Sequence, residues 1–113
     1  MKEVSEKDLK AKIDSGSNSF YLIDARSKED FEHNHLPEAI GLAWGPEFDA
    51  ELSTVLPDKD SQVIVYGTNE ACVMAKSAVD HLEKAGYQNI ELLTGGIMSW
   101  MEAGHALEFG GAS

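Results

Sequence analysis

Thiols are the most nucleophilic side chains near neutral pH, and this chain has one, Cys72. It closes the segment Gly67-Thr68-Asn69-Glu70-Ala71-Cys72, which follows the apolar run Gln62-Val63-Ile64-Val65-Tyr66. A single cysteine can form neither an internal disulfide nor, by itself, a zinc site. Two readings are open: a small buried apolar residue, or a reactive thiol. Asp24 and Arg26 form a second candidate group at the end of another apolar run, where Asp24 can accept loop amides and Arg26 can pair with a nearby carboxylate such as Glu29. His33 and His35 stand two residues apart, but sequence shows no third ligand, so no metal site is expected. Gly95-Gly96 precedes a helical pattern without the full Gly-x-Gly-x-x-Gly arrangement, so a nucleotide site is not expected either.

The elements that must position these groups can be read from periodicity. Ser5 caps an amphipathic helix carrying Leu9 and Ile13, ended by Ser15-Gly16-Ser17-Asn18. Phe20–Ala25 and Gln62–Tyr66 are apolar runs of the kind buried on both faces of a sheet. Ser27 caps a short helix through Glu32, stopped by Leu36-Pro37. Ala39–Leu42 is a weak strand, and Pro46 suits the first turn of a helix through Phe48 and Leu52. A helix runs from about Ala71 to Ala85 and ends at Gly86, which puts Cys72 in its first turn. Ile90–Leu93 is a further strand, and Gly95-Gly96 opens a last helix through Ile97, Trp100 and Met101, ended by Gly104. His81 and His105 read as surface positions, Trp44 and Trp100 as core or rim aromatics.

Short apolar strands alternating with helices imply a three-layer α/β domain, with a central parallel sheet of four or five strands flanked by helices on both faces. In such sheets ligands gather at the carboxyl ends of strands, near helix N-termini. Gly67–Cys72 lies at such a place.

Bulk properties bound the rest. The 113 residues fit one domain, and a 42% apolar content supports a real core. Residues 4–107 are expected to form that core, with 108–113 a frayed tail. Net charge is −11, which disfavours nucleic acid and anionic membrane as partners. No apolar stretch is long enough to span a bilayer, and the charged Met1–Glu6 start is followed by no signal-peptide core, so the expected location is cytoplasmic. Sequence leaves the oligomeric state open.

Three segments together resemble the rhodanese-like domain family. Tyr21-Leu22-Ile23-Asp24-Ala25-Arg26, with Glu29, Phe31 and His33-Asn34-His35-Leu36-Pro37-Glu38-Ala39, is similar to its first signature. Val63–Gly67 is similar to the strand that presents the catalytic cysteine. Gly86–Ile90, Leu93–Trp100 and Ala103-Gly104 are similar to the closing signature. Asn34 and Glu38 depart from the family's usual glycines. Gly67 departs more seriously, because it stands where active members place the nucleophile. The spacing matches a subgroup with two loop cysteines separated by four residues, of which only the second, Cys72, is present.

The resemblance implies sulfur transfer through a cysteine persulfide, without a cofactor. Its partners would be a small sulfur donor and a thiol acceptor or acceptor protein. It assigns Gly67, Thr68, Asn69, Glu70 and Ala71 to the active-site loop and makes Cys72 the candidate nucleophile. Asp24, Arg26, His35, Gly95, Gly96 and Trp100 take supporting roles. A helix N-terminus favours the thiolate, while Glu70 and the lack of any Lys or Arg in the loop oppose it. Cys72 also lies five residues beyond the usual nucleophile position. The related phosphatase reading, which needs Cys-x5-Arg, is weak, because no arginine lies between Gly67 and Lys76 to clamp a phosphate. Alternatives to a Cys72 sulfur carrier are a catalytically silent binding module and a Cys-to-Gly variant of an active enzyme.

Overall fold

The computed structural model describes residues 1–16 and 19–110. Its five strands are β1 (Lys2–Val4), β2 (Phe20–Asp24), β3 (Ala39–Gly41), β4 (Gln62–Tyr66) and β5 (Asn89–Leu93). They form one sheet in the order β1-β5-β4-β2-β3, with every neighbouring pair parallel. The helices are α1 (Glu6–Asp14), α2 (Lys28–His33), α3 (Phe48–Val55), α4 (Val73–Lys84) and α5 (Gly96–Glu102).

Alternation along the strands divides the core between two faces. Ile23, Val63, Val65, Ile90 and Leu92 point to one face and meet α3 and α4 through Phe48, Leu52, Ala78 and Leu82. Leu22, Ile64, Tyr66 and Leu93 point to the other and meet α1 and α5 through Leu9, Ile97 and Trp100. Each large apolar side chain fully buried this way contributes roughly 1.5–3 kcal/mol, so both helix layers are held firmly on the sheet. The central strand β4 feeds both faces and ends directly at Gly67.

Several local readings need correction. β1 is a strand although Lys2 and Glu3 are exposed; its pairing with β5 supplies what its sequence does not signal. Helix α2 ends at His33, before Leu36-Pro37. Helix α3 starts at Phe48 with Glu47 as its cap, so Pro46 precedes it. Helix α4 starts at Val73, so Cys72 is its N-cap residue rather than a member of its first turn. The tail is held as far as Gly110: His35 and Glu108 exchange backbone hydrogen bonds of 2.9 and 2.8 Å, and Gly110 N–H donates to the Glu32 carbonyl. Ser17 and Asn18 of the first helix stop, and Gly111–Ser113 of the tail, lie outside the described residues.

Candidate active site

The loop leaves β4 at Gly67, which is buried, and climbs through half-buried Thr68 to exposed Asn69, Glu70 and Ala71 before Cys72 returns to the core. Asn69 sets this turn: its side-chain oxygen accepts the Ala71 amide at 2.9 Å, and its carbonyl accepts the Cys72 amide at 3.1 Å. Cys72 is 9% exposed and packs with the α3–α4 face of the core. Its side chain makes no capping hydrogen bond to α4. The sulfur lies against Gly67, for a Cβ placed on Gly67 would stand 2.2 Å from Cys72 Sγ. Residues 67 and 72, at the two ends of the loop, therefore compete for one space.

Helix α5 fixes the other side of the loop. The Ile97 amide donates to the Gly67 carbonyl at 2.9 Å, and the Met98 amide to the Thr68 carbonyl at 3.0 Å. This approach needs glycine at 96, which has φ +62°; a Cβ there would lie 2.6 Å from the Gly67 oxygen and from the Thr68 carbonyl. Gly95 caps the same helix against Ser99. With the carbonyls of 67 and 68 committed to α5, the amides of Thr68, Asn69 and Glu70 make no hydrogen bond within the chain among the described residues. Such free amides beside a helix start can receive an anion. Lys76, the first cation after the loop, is exposed on α4.

At the carboxyl ends of β2 and β4 lies a buried polar network. Arg26 pairs with Asp24, not Glu29: its Nη2 donates to Asp24 Oδ2 at 2.8 Å, and its own amide donates to Oδ1 at 2.9 Å. Asp24 is 0% exposed and Arg26 6%. Burial opposes the guanidinium charge, but the hydrogen bond and charge of Asp24 outweigh it and raise the Arg26 pKa. Arg26 also donates to the carbonyls of Asn34 and Asp30. Tyr66, which sequence reading passed over as an apolar strand residue, joins this network. Its hydroxyl donates to Asp24 Oδ2 at 2.8 Å and accepts the Leu36 amide at 3.1 Å. Burial, then the Asp24 charge, push its pKa far above the ordinary tyrosine value. A tyrosine closing a buried strand was the available signal, since its hydroxyl must find partners.

The remaining candidates lie elsewhere. His35 stacks on Phe31 with ring centroids 4.0 Å apart, and its Nδ1 is 2.8 Å from the Phe31 carbonyl oxygen. It ties α2 to the tail. Trp100 is fully buried under α5 and donates from Nε1 to the Ala106 carbonyl at 2.9 Å. His81 and His105 are not free surface residues: His81 pairs with Asp49 of α3, and His105 Nε2 lies 2.5 Å from Glu6 Oε2. Among the described residues no group of three or more His, Cys, Asp or Glu is placed to hold a metal ion.

Comparison with known proteins now decides the family. Residues 5–103 match the Rhodanese-like domain. The chain belongs to the rhodanese-like domain family. The rhodanese-like chain is 33% identical over 108 residues to the adenylyltransferase and sulfurtransferase UBA4 of Candida albicans, covering 88% of this chain but 23% of that protein. The BH2092 protein of Bacillus halodurans superposes with a TM-score of 0.84 at 26% identity, over 99% of this chain and 82% of that one. A thiosulfate sulfurtransferase from Pseudomonas aeruginosa superposes with a TM-score of 0.85 at 24% identity, over 97% of this chain and 20% of that one, which shows the shared fold. This rhodanese-like chain thus spans about a quarter of the length of that curated relative. No helix among the described residues is long and apolar enough to cross a membrane.

Proposed function

We propose that this rhodanese-like domain is a sulfurtransferase-type sulfur carrier and that Cys72 is the thiol that holds sulfur in transit. One observation carries the reading. The chain's only cysteine sulfur lies where a side chain of residue 67 would begin, at the end of the central strand. The subgroup's first cysteine is missing, and the second delivers sulfur to the same place.

The chemistry is redox-neutral. The Cys72 thiolate attacks the outer sulfur of a donor such as thiosulfate. A new sulfur–sulfur bond forms, the donor's own breaks, and sulfite leaves with the electron pair. An acceptor thiolate then attacks the outer sulfur of the persulfide, and Cys72 departs as thiolate. The amides of Thr68, Asn69 and Glu70 and the start of α4 would stabilise the anions formed at each step. The sulfurtransferase part of the Candida relative's name supports this class of reaction. The acceptor is a small thiol or an acceptor protein, and the cytoplasmic setting belongs to the same proposal.

A second reading has its own support. Cys72 is 9% exposed, and no Lys or Arg lies between Gly67 and Ala75. A thiol so placed suits packing, and the domain would then be a silent binding module. Sulfide release from thiosulfate with dithiothreitol as acceptor separates the two. The carrier reading expects turnover by the unmodified chain and none by Cys72→Ser. The silent-module reading expects none by the unmodified chain and activity created by Gly67→Cys. That substitution should be combined with Cys72→Ala, because the new Cβ would otherwise meet the Cys72 sulfur.

A further inference from the structure

A groove of about 540 Å³ opens at the carboxyl ends of β2 and β3, between α2 and α3. None of residues 67–72 lines it, so the sulfur chemistry proposed for the loop leaves it without a role. Its volume is in the range of small-ligand sites.

Its two sides carry different charge. On the β2–α2 side Arg26 reaches the groove although it is 6% exposed. Its Nε and Nη2 are committed to Asp24 and to main-chain carbonyls, while Nη1 has only a 3.4 Å contact with Asn34 Oδ1. A buried guanidinium with donor capacity left on one nitrogen suits a carboxylate. Lys28 and Glu32, one helical turn apart on the same side, offset each other. On the opposite side Glu47 and Glu51 are exposed, and no ion pair engages either among the described residues. Trp44 lines the groove as well, with its ring 5.0 Å from that of Phe48 and 5.5 Å from that of His81.

A simple anion would meet Glu47 and Glu51, and a simple cation would leave the spare Arg26 Nη1 donor unused. We infer that this groove binds a zwitterionic ligand of short-peptide type. Its carboxylate lies toward Arg26, its ammonium toward Glu47 and Glu51, and its apolar part against Trp44.

The test uses the tripeptide glycyl-leucyl-glycine in four forms: free, N-acetylated, C-amidated, and blocked at both ends. Binding is read by Trp fluorescence and by calorimetry. Trp100 is fully buried, so a fluorescence change reports Trp44. The free peptide is expected to bind about tenfold or more tighter than any blocked form. Glu47→Gln with Glu51→Gln, both at exposed positions, is expected to erase the penalty of N-acetylation while leaving that of C-amidation. Asp58→Asn, a charge removal outside the groove, should change neither. Equal binding of all four forms, no binding up to millimolar peptide, or an equal effect of Asp58→Asn and the Glu→Gln pair would each overturn the inference. These readouts need no sulfur transfer, so they stand whether or not Cys72 is reactive.

Discussion

Gly67 and Cys72 share one volume: a Cβ on Gly67 would lie 2.2 Å from Cys72 Sγ and 2.8 Å from Cys72 Cβ, with Ala75 Cβ at 3.0 Å. The residue at the end of β4 can therefore carry no side chain while the sulfur of residue 72 lies where it does. Gly67→Ala should destabilise the fold by about 1–3 kcal/mol, the usual cost of overpacking a close-packed core. Urea denaturation measures this. Combining it with Cys72→Ala should recover part of the loss, because the sulfur is the nearer obstacle. Additivity of the two changes within about 0.5 kcal/mol would show that the residues do not compete.

The contact of α5 with the loop is between backbones and cannot yield as a side chain can. Gly96→Ala would combine a φ of +62° with a Cβ 2.6 Å from the Gly67 and Thr68 carbonyls. The expected loss is about 2–4 kcal/mol, from left-handed strain and overpacking together. Amide exchange at Ile97 and Met98 should accelerate with it. Gly16, also at positive φ but with open space around its Cβ position, is the control and should lose less.

Tyr66 links pH to stability. Its ionisation is disfavoured in the fold, so above about pH 10 the unfolded chain releases a proton that the folded chain keeps. Stability should then fall as pH rises past that point, and Tyr87, whose pKa burial also raises, acts in the same direction. Tyr66→Phe should flatten part of this slope. At neutral pH it should cost about 1–3 kcal/mol, since it strands the Leu36 amide and removes a donor from Asp24. Denaturation midpoints of both proteins from pH 7 to the alkaline limit give the comparison.

The sheet was legible because its strongest strands are also its most central. Gln62–Tyr66 and Phe20–Asp24 are apolar runs buried on both faces, and β4 and β2 pair along their whole length. Lys2–Val4 was illegible because three residues with two exposed side chains show no period, and only the edge of β5 makes them a strand. The loop could be located, since a glycine after a buried strand and a helical pattern beyond Cys72 bracket it. What lies against what could not. The partner of Arg26 is two residues back rather than three ahead, a choice made by burial at the strand end. The Tyr66 hydroxyl finds Asp24 and Leu36 across the sheet, at separations no local pattern encodes. The groove at Trp44 needs α2 and the β3–α3 connection to face each other, which only the folded sheet order brings about.

The carrier reading also requires that the sulfur become reachable. Alkylation of Cys72 by iodoacetamide should therefore proceed in the folded protein at a measurable rate. Gly67→Ala should change that rate, because it displaces the sulfur from its place beneath the loop. A thiol that stays unlabelled in the folded protein at every pH would favour packing.

The most direct test is the mass of the intact protein after exposure to thiosulfate or a persulfide donor, followed by location of any adduct within the chain. The account predicts a gain of one sulfur atom on Cys72, removed by dithiothreitol and absent in Cys72→Ser. An unmodified mass, with Cys72 shown by alkylation to be accessible, would contradict it.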